Sequence, residues 1–207
     1  MWIKVCGMTT PEAVEAALAA GVDAIGFVFA ESKRQVTPQR AALLAAPARG
    51  RVRCIAVTRH SEQAAIDEVL AVFKPDVLQT DAEDLRALAL PTTLELLPVL
   101  RAGLAEPQVL PARFLFEGPL SGSGIPADWA SARKLARRGE LILAGGLSPE
   151  NVGAAIADVR PFGVDVSSGV ESTPGIKSPD KIASFVRSAR VAWRNLDESA
   201  RAKENVS

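Results

Sequence analysis

Trp2-Ile3-Lys4-Val5-Cys6-Gly7-Met8-Thr9-Thr10-Pro11, directly after Met1, decides how the rest of the chain is read. It begins as a short, largely apolar run and stops at Cys6, where glycine and threonine take over. Thr10-Pro11 then supplies a capping hydroxyl followed by a proline suited to the first helical turn. Strand passing to helix in so few residues is the unit of a parallel α/β fold. A thiol leaving the C-terminal end of a first strand is also well placed to work as a base.

The alternation continues along the chain. Strands are expected near 2–6, 22–28, 51–57, 76–79, 93–98, 112–117, 140–144 and 162–166, with helices near 11–20, 38–47, 61–72, 82–89, 103–109, 128–137, 149–157 and 179–194. Thr37-Pro38, Ser148-Pro149 and Ser178-Pro179 repeat the start signal of Thr10-Pro11. Eight such pairs close a (β/α)8 TIM barrel, whereas an open doubly wound sheet has about five or six strands. The fifth unit is the weakest, because Leu104-Ala105-Glu106-Pro107 leaves little room for a regular helix. No linker divides the chain, so residues 1–194 are read as one barrel domain and 195–207 as a polar tail that frays.

Composition fits this reading. A chain of 207 residues is short but sufficient for one barrel, and 48% hydrophobic content is ample for its core. Lys+Arg equals Asp+Glu at 24 each, so no global field favours nucleic acid or an anionic membrane. No charged and apolar leader precedes the first strand, and no apolar run approaches the roughly 18 residues that span a bilayer. Two cysteines, Cys6 and Cys54, make neither metal-ligand spacing nor a disulfide framework. The expectation is a cytoplasmic protein with reduced thiols.

Active sites in such barrels lie at the C-terminal strand ends. That favours a chemical role for Cys6, whereas Cys54, inside Val52-Arg53-Cys54-Ile55-Ala56-Val57, reads as core. Two later turns could cradle a phosphate. Gly145-Gly146 follows Leu141-Ile142-Leu143-Ala144, and Ser167-Ser168-Gly169 follows Val164-Asp165-Val166 and opens a short extra helix. Either turn could instead be only a tight strand-to-helix connection.

Glu117 ends Arg113-Phe114-Leu115-Phe116 at the barrel mouth, where it could serve as a general acid or pair with a neighbouring arginine. Arg34, after strand two, could hold a substrate carboxylate bidentately or be solvated. The small residues from Gly118 to Gly124 could fold over a substrate. His60 is assigned no catalytic role, and Trp2, Trp129 and Trp193 are read as packing residues.

Together these segments resemble the phosphoribosylanthranilate isomerases of tryptophan biosynthesis. The resemblance runs from Lys4-Val5-Cys6-Gly7-Met8-Thr9 through Gly21-Val22-Asp23-Ala24-Ile25-Gly26-Phe27 to Gly163-Val164-Asp165-Val166-Ser167-Ser168-Gly169-Val170-Glu171 and Pro174-Gly175-Ile176-Lys177. It implies an Amadori rearrangement with Cys6 as base, Glu117 as acid and Arg34 on the anthranilate carboxylate. Gly145, Gly146, Ser167, Ser168 and Gly169 would hold the phosphate. The implied partner is one phosphorylated small molecule bound by a monomer, with no cofactor, metal, nucleic acid or membrane. For Cys6 to act as a thiolate, its pKa should fall toward neutrality.

Two departures accompany the resemblance. Glu117 stands where the family usually has aspartate, and Gln79-Thr80-Asp81-Ala82 stands where it usually has Gln-Leu-His-Gly. Ser121-Gly122-Ser123-Gly124 also replaces a double-glycine form. The alternatives are a related phosphosugar isomerase, whose first strand would end in aspartate, and a weakly active or inactive barrel that binds a phosphate ligand.

Overall fold

Parallel strands need crossover connections, and every short apolar run in this chain is followed by one. The computed structural model describes residues 1–104, 107, 109–118 and 128–204. Its strands are β1 (Trp2–Cys6), β2 (Ala24–Val28), β3 (Arg53–Val57), β4 (Val77–Asp81), β5 (Glu95–Arg101), β6 (Arg113–Glu117), β7 (Glu140–Leu143) and β8 (Gly163–Val166). All eight pair in parallel in chain order, and β8 pairs back onto β1 to close the barrel.

Around them lie α1 (Pro11–Ala20), α2 (Pro38–Ala45), α3 (Gln63–Glu68), α4 (Trp129–Ala136), α5 (Val152–Val159) and α6 (Pro179–Glu204). The start signals act as read at three helices: Thr10 accepts from the Ala13 N–H, Thr37 from the Arg40 N–H and Ser178 from the Lys181 N–H. A small antiparallel hairpin, β9 (Glu171–Thr173) and β10 (Ile176–Lys177), sits between β8 and α6.

The structure corrects the sequence reading in several places. The helix expected at 82–89 is a single 3-10 turn, Asp84–Arg86. Asp84 instead accepts from the His60 N–H and the Thr80 hydroxyl, the kind of local bond that competes with helix. No helix occupies 103–109 among the described residues. The helix expected from 149 begins at Val152, because Asn151 bonds the Ser148 N–H and shapes a turn there. α6 continues through the segment read as a frayed tail, as far as Glu204.

β4 and β5 also run further than expected, to Asp81 and Arg101. Pro98 reads as a strand end because it lacks an N–H. It is tolerated here because β6 pairs with β5 only from Val99 onward.

Side chains alternate across each strand. Ala24, Ile55, Val77, Leu97, Leu115 and Ile142 fill the barrel, while Ile3, Val5, Phe27, Phe114 and Leu141 pack outward among the helices. Fully burying one such aliphatic or aromatic side chain contributes about 1.5–3 kcal/mol. The N-terminal end is closed by Arg113, which bonds Glu140 at 2.8 Å and lies 4.5 Å over the Phe162 ring.

At the seam, Lys4 stands opposite Asp165 in the β1–β8 register. Its Nζ lies 3.0 Å from Asp165 Oδ1, and both groups are buried. Replacing Lys4 with methionine would strand that carboxylate and should lower stability by about 3–5 kcal/mol. Lys4→Met/Asp165→Leu, which removes both charges, should recover most of the loss in a urea titration. A double variant no more stable than the single one would show that packing, not charge, holds the seam.

Candidate active site

The alternation that packs the core also assembles the site. Cys6, Asp81, Arg101 and Glu117 each end a strand with the side chain turned inward. With Arg34, Gln79, Asp165 and Ser167 they line a cavity of about 180 Å3 at the C-terminal mouth. The structure therefore brings Cys6, Glu117, Arg34 and Ser167 together, as their places at strand ends imply.

Cys6 lies on the same inward face of β1 as Lys4, two residues on, beside the Lys4–Asp165 pair. Gly26 on β2 leaves the room, since a Cβ there would stand 2.9 Å from Cys6 Sγ and 3.2 Å from Lys4 Nζ. The expected fall in the thiol pKa is not found. Burial pushes Cys6 up, and the cations of Lys4 and Lys177 offset this only in part. Lys4 itself is held above its ordinary range, because Asp165 and Cys6 outweigh the effect of burial. Cys54 is core as read, and burial raises its pKa to about 11.

Arg34 is not solvated. Its Nε and Nη2 donate to Glu171 Oε1 and Oε2 at 2.6 and 3.0 Å, and Lys177 Nζ donates to the same carboxylate at 2.8 Å. Burial opposes the charge on Glu171, but Arg34, Lys177 and the Gly175 N–H bring its pKa down to about 2. Gly7, at φ 83°, lets the arginine stem cross the β1–α1 turn, where a Cβ would lie 2.6 Å from Arg34 Cδ.

Glu117 has the neighbouring arginine that one of its two readings supposed. It lines the cavity and also accepts from Arg101 Nη1 at 2.7 Å. Two other carboxyls are committed elsewhere: Asp165 pairs with Lys4, and Asp128 caps α4 through the Ala130 and Ser131 N–H groups. The rest of the small-residue loop, 119–124, falls outside the described residues.

Gly145 and Gly146 both have positive φ, 87° and 64°, and among the described residues nothing accepts from their N–H groups. Ser168–Val170 forms the short extra helix. Gly169 presses so closely on the neighbouring turn that a Cβ would meet the Leu147 carbonyl oxygen at 1.9 Å. The Ser167 hydroxyl is already engaged: it donates to the Cys6 carbonyl at 3.1 Å and accepts from Lys177. Any anion contact by Ser167 therefore falls to its main chain.

Sequence reading missed Lys4, Arg101, Asn151, Glu171 and Lys177 as parts of the site. Lys4 had a visible signal, being a charged residue two positions before Cys6 in an apolar strand. Asn151, whose Nδ2 donates to the Gly146 carbonyl at 2.8 Å, had none beyond its place before a helix. One further cluster, His60–Asp81–Asp84, has the composition of a metal site. Its carboxylates already hold other partners, with Asp84 on His60 Nδ1 at 3.0 Å and Asp81 on Arg101 at 2.6 Å. Trp2, Trp129 and Trp193 pack against the core, as read.

Comparison with known proteins agrees with this geometry. The family model described as N-(5′-phosphoribosyl)anthranilate (PRA) isomerase matches residues 3–188. The chain belongs to the PRA isomerase family. It is 37% identical over 210 residues to an N-(5′-phosphoribosyl)anthranilate isomerase of Chelativorans sp. (strain BNC1), covering 92% of this chain and 96% of that one. Among solved structures it resembles TrpF from Jonesia denitrificans, with a TM-score of 0.78, 37% identity and coverage of 93% and 98%. It also resembles a phosphoribosyl anthranilate isomerase in complex with reduced 1-(o-carboxyphenylamino)-1-deoxyribulose 5-phosphate (TM-score 0.75, 30% identity, coverage 92% and 98%).

Two outcomes follow from the family site as built here. The Glu171 pKa lies below its unfolded value, so its ion pairs add stability that is complete above about pH 5 and is lost as pH falls toward the folded value. Glu171→Gln should be less stable than the parent at neutral pH and converge with it on acidification to about pH 2, read by denaturant titration at several pH values. Gly169→Ala should force the β7 and β8 turns apart and lower stability by about 1–3 kcal/mol, measured by urea titration.

Proposed function

We propose that Cys6 and Glu117 are the base and acid with which this chain isomerises N-(5′-phosphoribosyl)anthranilate to 1-(2-carboxyphenylamino)-1-deoxyribulose 5-phosphate in tryptophan biosynthesis. The observation that carries the assignment is their convergence on one cavity, which Arg34 and Ser167 also line. Glu117 gives a proton to the furanose ring oxygen, the C1′–O bond breaks, and a Schiff base forms. Cys6, as thiolate, removes the C2′ proton to leave an enolamine, which tautomerises to the ketone. C1′ is reduced as C2′ is oxidised, so the rearrangement balances within the substrate.

Lys4 supplies the cation that a buried thiolate needs, and it is held by Asp165. Arg34 faces the substrate carboxylate while Glu171 fixes its guanidinium. Gly145, Gly146, Ser167, Ser168 and Gly169 receive the phosphate, so binding energy far from the reacting carbon serves to orient it. No helix among the described residues is long and apolar enough to cross a membrane. The reading takes the chain as a monomer acting in the cytoplasm on one phosphorylated small molecule.

The decisive measurement is single-turnover kinetics with freshly generated substrate. Cys6→Ala and Glu117→Gln should each lose roughly 10²–10⁴-fold in rate with substrate affinity nearly intact. Because burial raises the thiol pKa, turnover should climb as pH rises above neutrality. Cys54→Ala should lower stability rather than rate. Parental turnover in Cys6→Ala, with chemistry rate-limiting, would require another base.

A further inference from the structure

The two departures from the family pattern, Asp81 and Glu117, lie on different strands yet meet on one side chain. Arg101 ends β5, which lies between β4 and β6 in the barrel. Its Nη2 donates to Asp81 Oδ1 at 2.6 Å, and its Nη1 donates to Glu117 Oε1 at 2.7 Å. Arg101 is the direct cross-strand partner of Glu117, and Val99, two residues earlier on the same face, is the partner of Asp81. The side chains of Arg101, Asp81 and Glu117 are only 7%, 11% and 13% exposed. On the outer side, Arg59 Nε lies 3.5 Å from Asp81 Oδ2.

We propose that Arg101, braced by Asp81, is a positioning residue that fixes the longer Glu117 side chain so that its carboxyl enters the cavity from one set place. The proposal rests on the reading of Glu117 as the acid. Glutamate has one more rotatable bond than aspartate, so an unrestrained carboxyl at the same strand end would sample several positions. Misplacement of about 1 Å can cost on the order of a hundredfold in rate. A planar guanidinium with a carboxylate on each prong is itself held in orientation, which an ammonium is not. Asp81 has a second effect: its charge offsets part of the field of Arg101, which would otherwise disfavour the proton-bearing form of Glu117. The other charged or titratable groups around the cavity are Cys6, Glu31, Arg34, Arg59 and Asp165.

The test uses Arg101→Met and the charge-balanced Asp81→Asn/Arg101→Met, the second guarding against simple misfolding of the first. Retained inorganic phosphate binding establishes that each variant is folded. Both should lose roughly 10- to 100-fold in kcat with KM nearly unchanged. Carbon-13 NMR of glutamate-labelled protein, with the Glu117 signal assigned from Glu117→Gln, should show the Glu117 titration moving up in Arg101→Met, where the ion pair is lost. Glu117→Asp should slow the parent but cost little further in the double variant, because the clamp it fails to reach is already gone. Parental kcat in Arg101→Met, or a fall in kcat with the Glu117 titration unmoved, would overturn the positioning role while leaving Glu117 as acid. Turnover surviving in Glu117→Gln would instead remove the acid assignment itself.

Discussion

A lysine and an aspartate buried where the first strand meets the last set the terms for the rest of this molecule. A parallel barrel must join its two chain ends, and here the joint is Lys4 against Asp165. Two charges out of water are expensive unless each has the other, so β1 and β8 can meet in only one register without leaving a charge alone. That register carries Cys6 and Ser167 to the mouth on neighbouring strands. The pair that closes the barrel is therefore also the floor of the site.

The fold was largely legible because its signals are local. Capping hydroxyls before prolines and short apolar runs mark βα units without reference to the rest of the chain. Failures came where a local signal met a tertiary fact. Pro98 and the polar pair Thr80-Asp81 look like strand ends, yet pairing with neighbours carries β4 and β5 past them. Asp84 looks like a helix residue until His60 and Thr80 claim it.

The places of Cys6 and Glu117 at the barrel mouth were readable, because each ends a short apolar run. Arg101 was not, because it lies beyond the expected limit of its strand. The direction of the Cys6 pKa was also hidden, since sequence shows the cation two residues away but not the depth of burial around the sulfur. Glu171 and Lys177 were visible within a motif, but the hold of Glu171 on Arg34, with Lys177 on the same carboxylate, joins residues 137 apart along the chain. Gly175 marks how close that packing is: at φ 90°, a Cβ on it would meet the Lys33 carbonyl oxygen at 2.7 Å.

The bond from the Ser167 hydroxyl to the Cys6 carbonyl ties the turn offered to the phosphate directly to the peptide that carries the sulfur. Lys177 pins the same hydroxyl from the other side, so the two ends of the site cannot drift independently. A site with that linkage works as a ruler. With the phosphate and base placed as proposed, a sugar presents to the sulfur whichever carbon lies at that distance, and the pentose skeleton determines which carbon that is. A sugar phosphate one carbon longer would offer the wrong C–H bond to the same sulfur, however well its phosphate fits. On the proposed assignment, selectivity for sugar length is set in part by this one hydroxyl contact between the two strands.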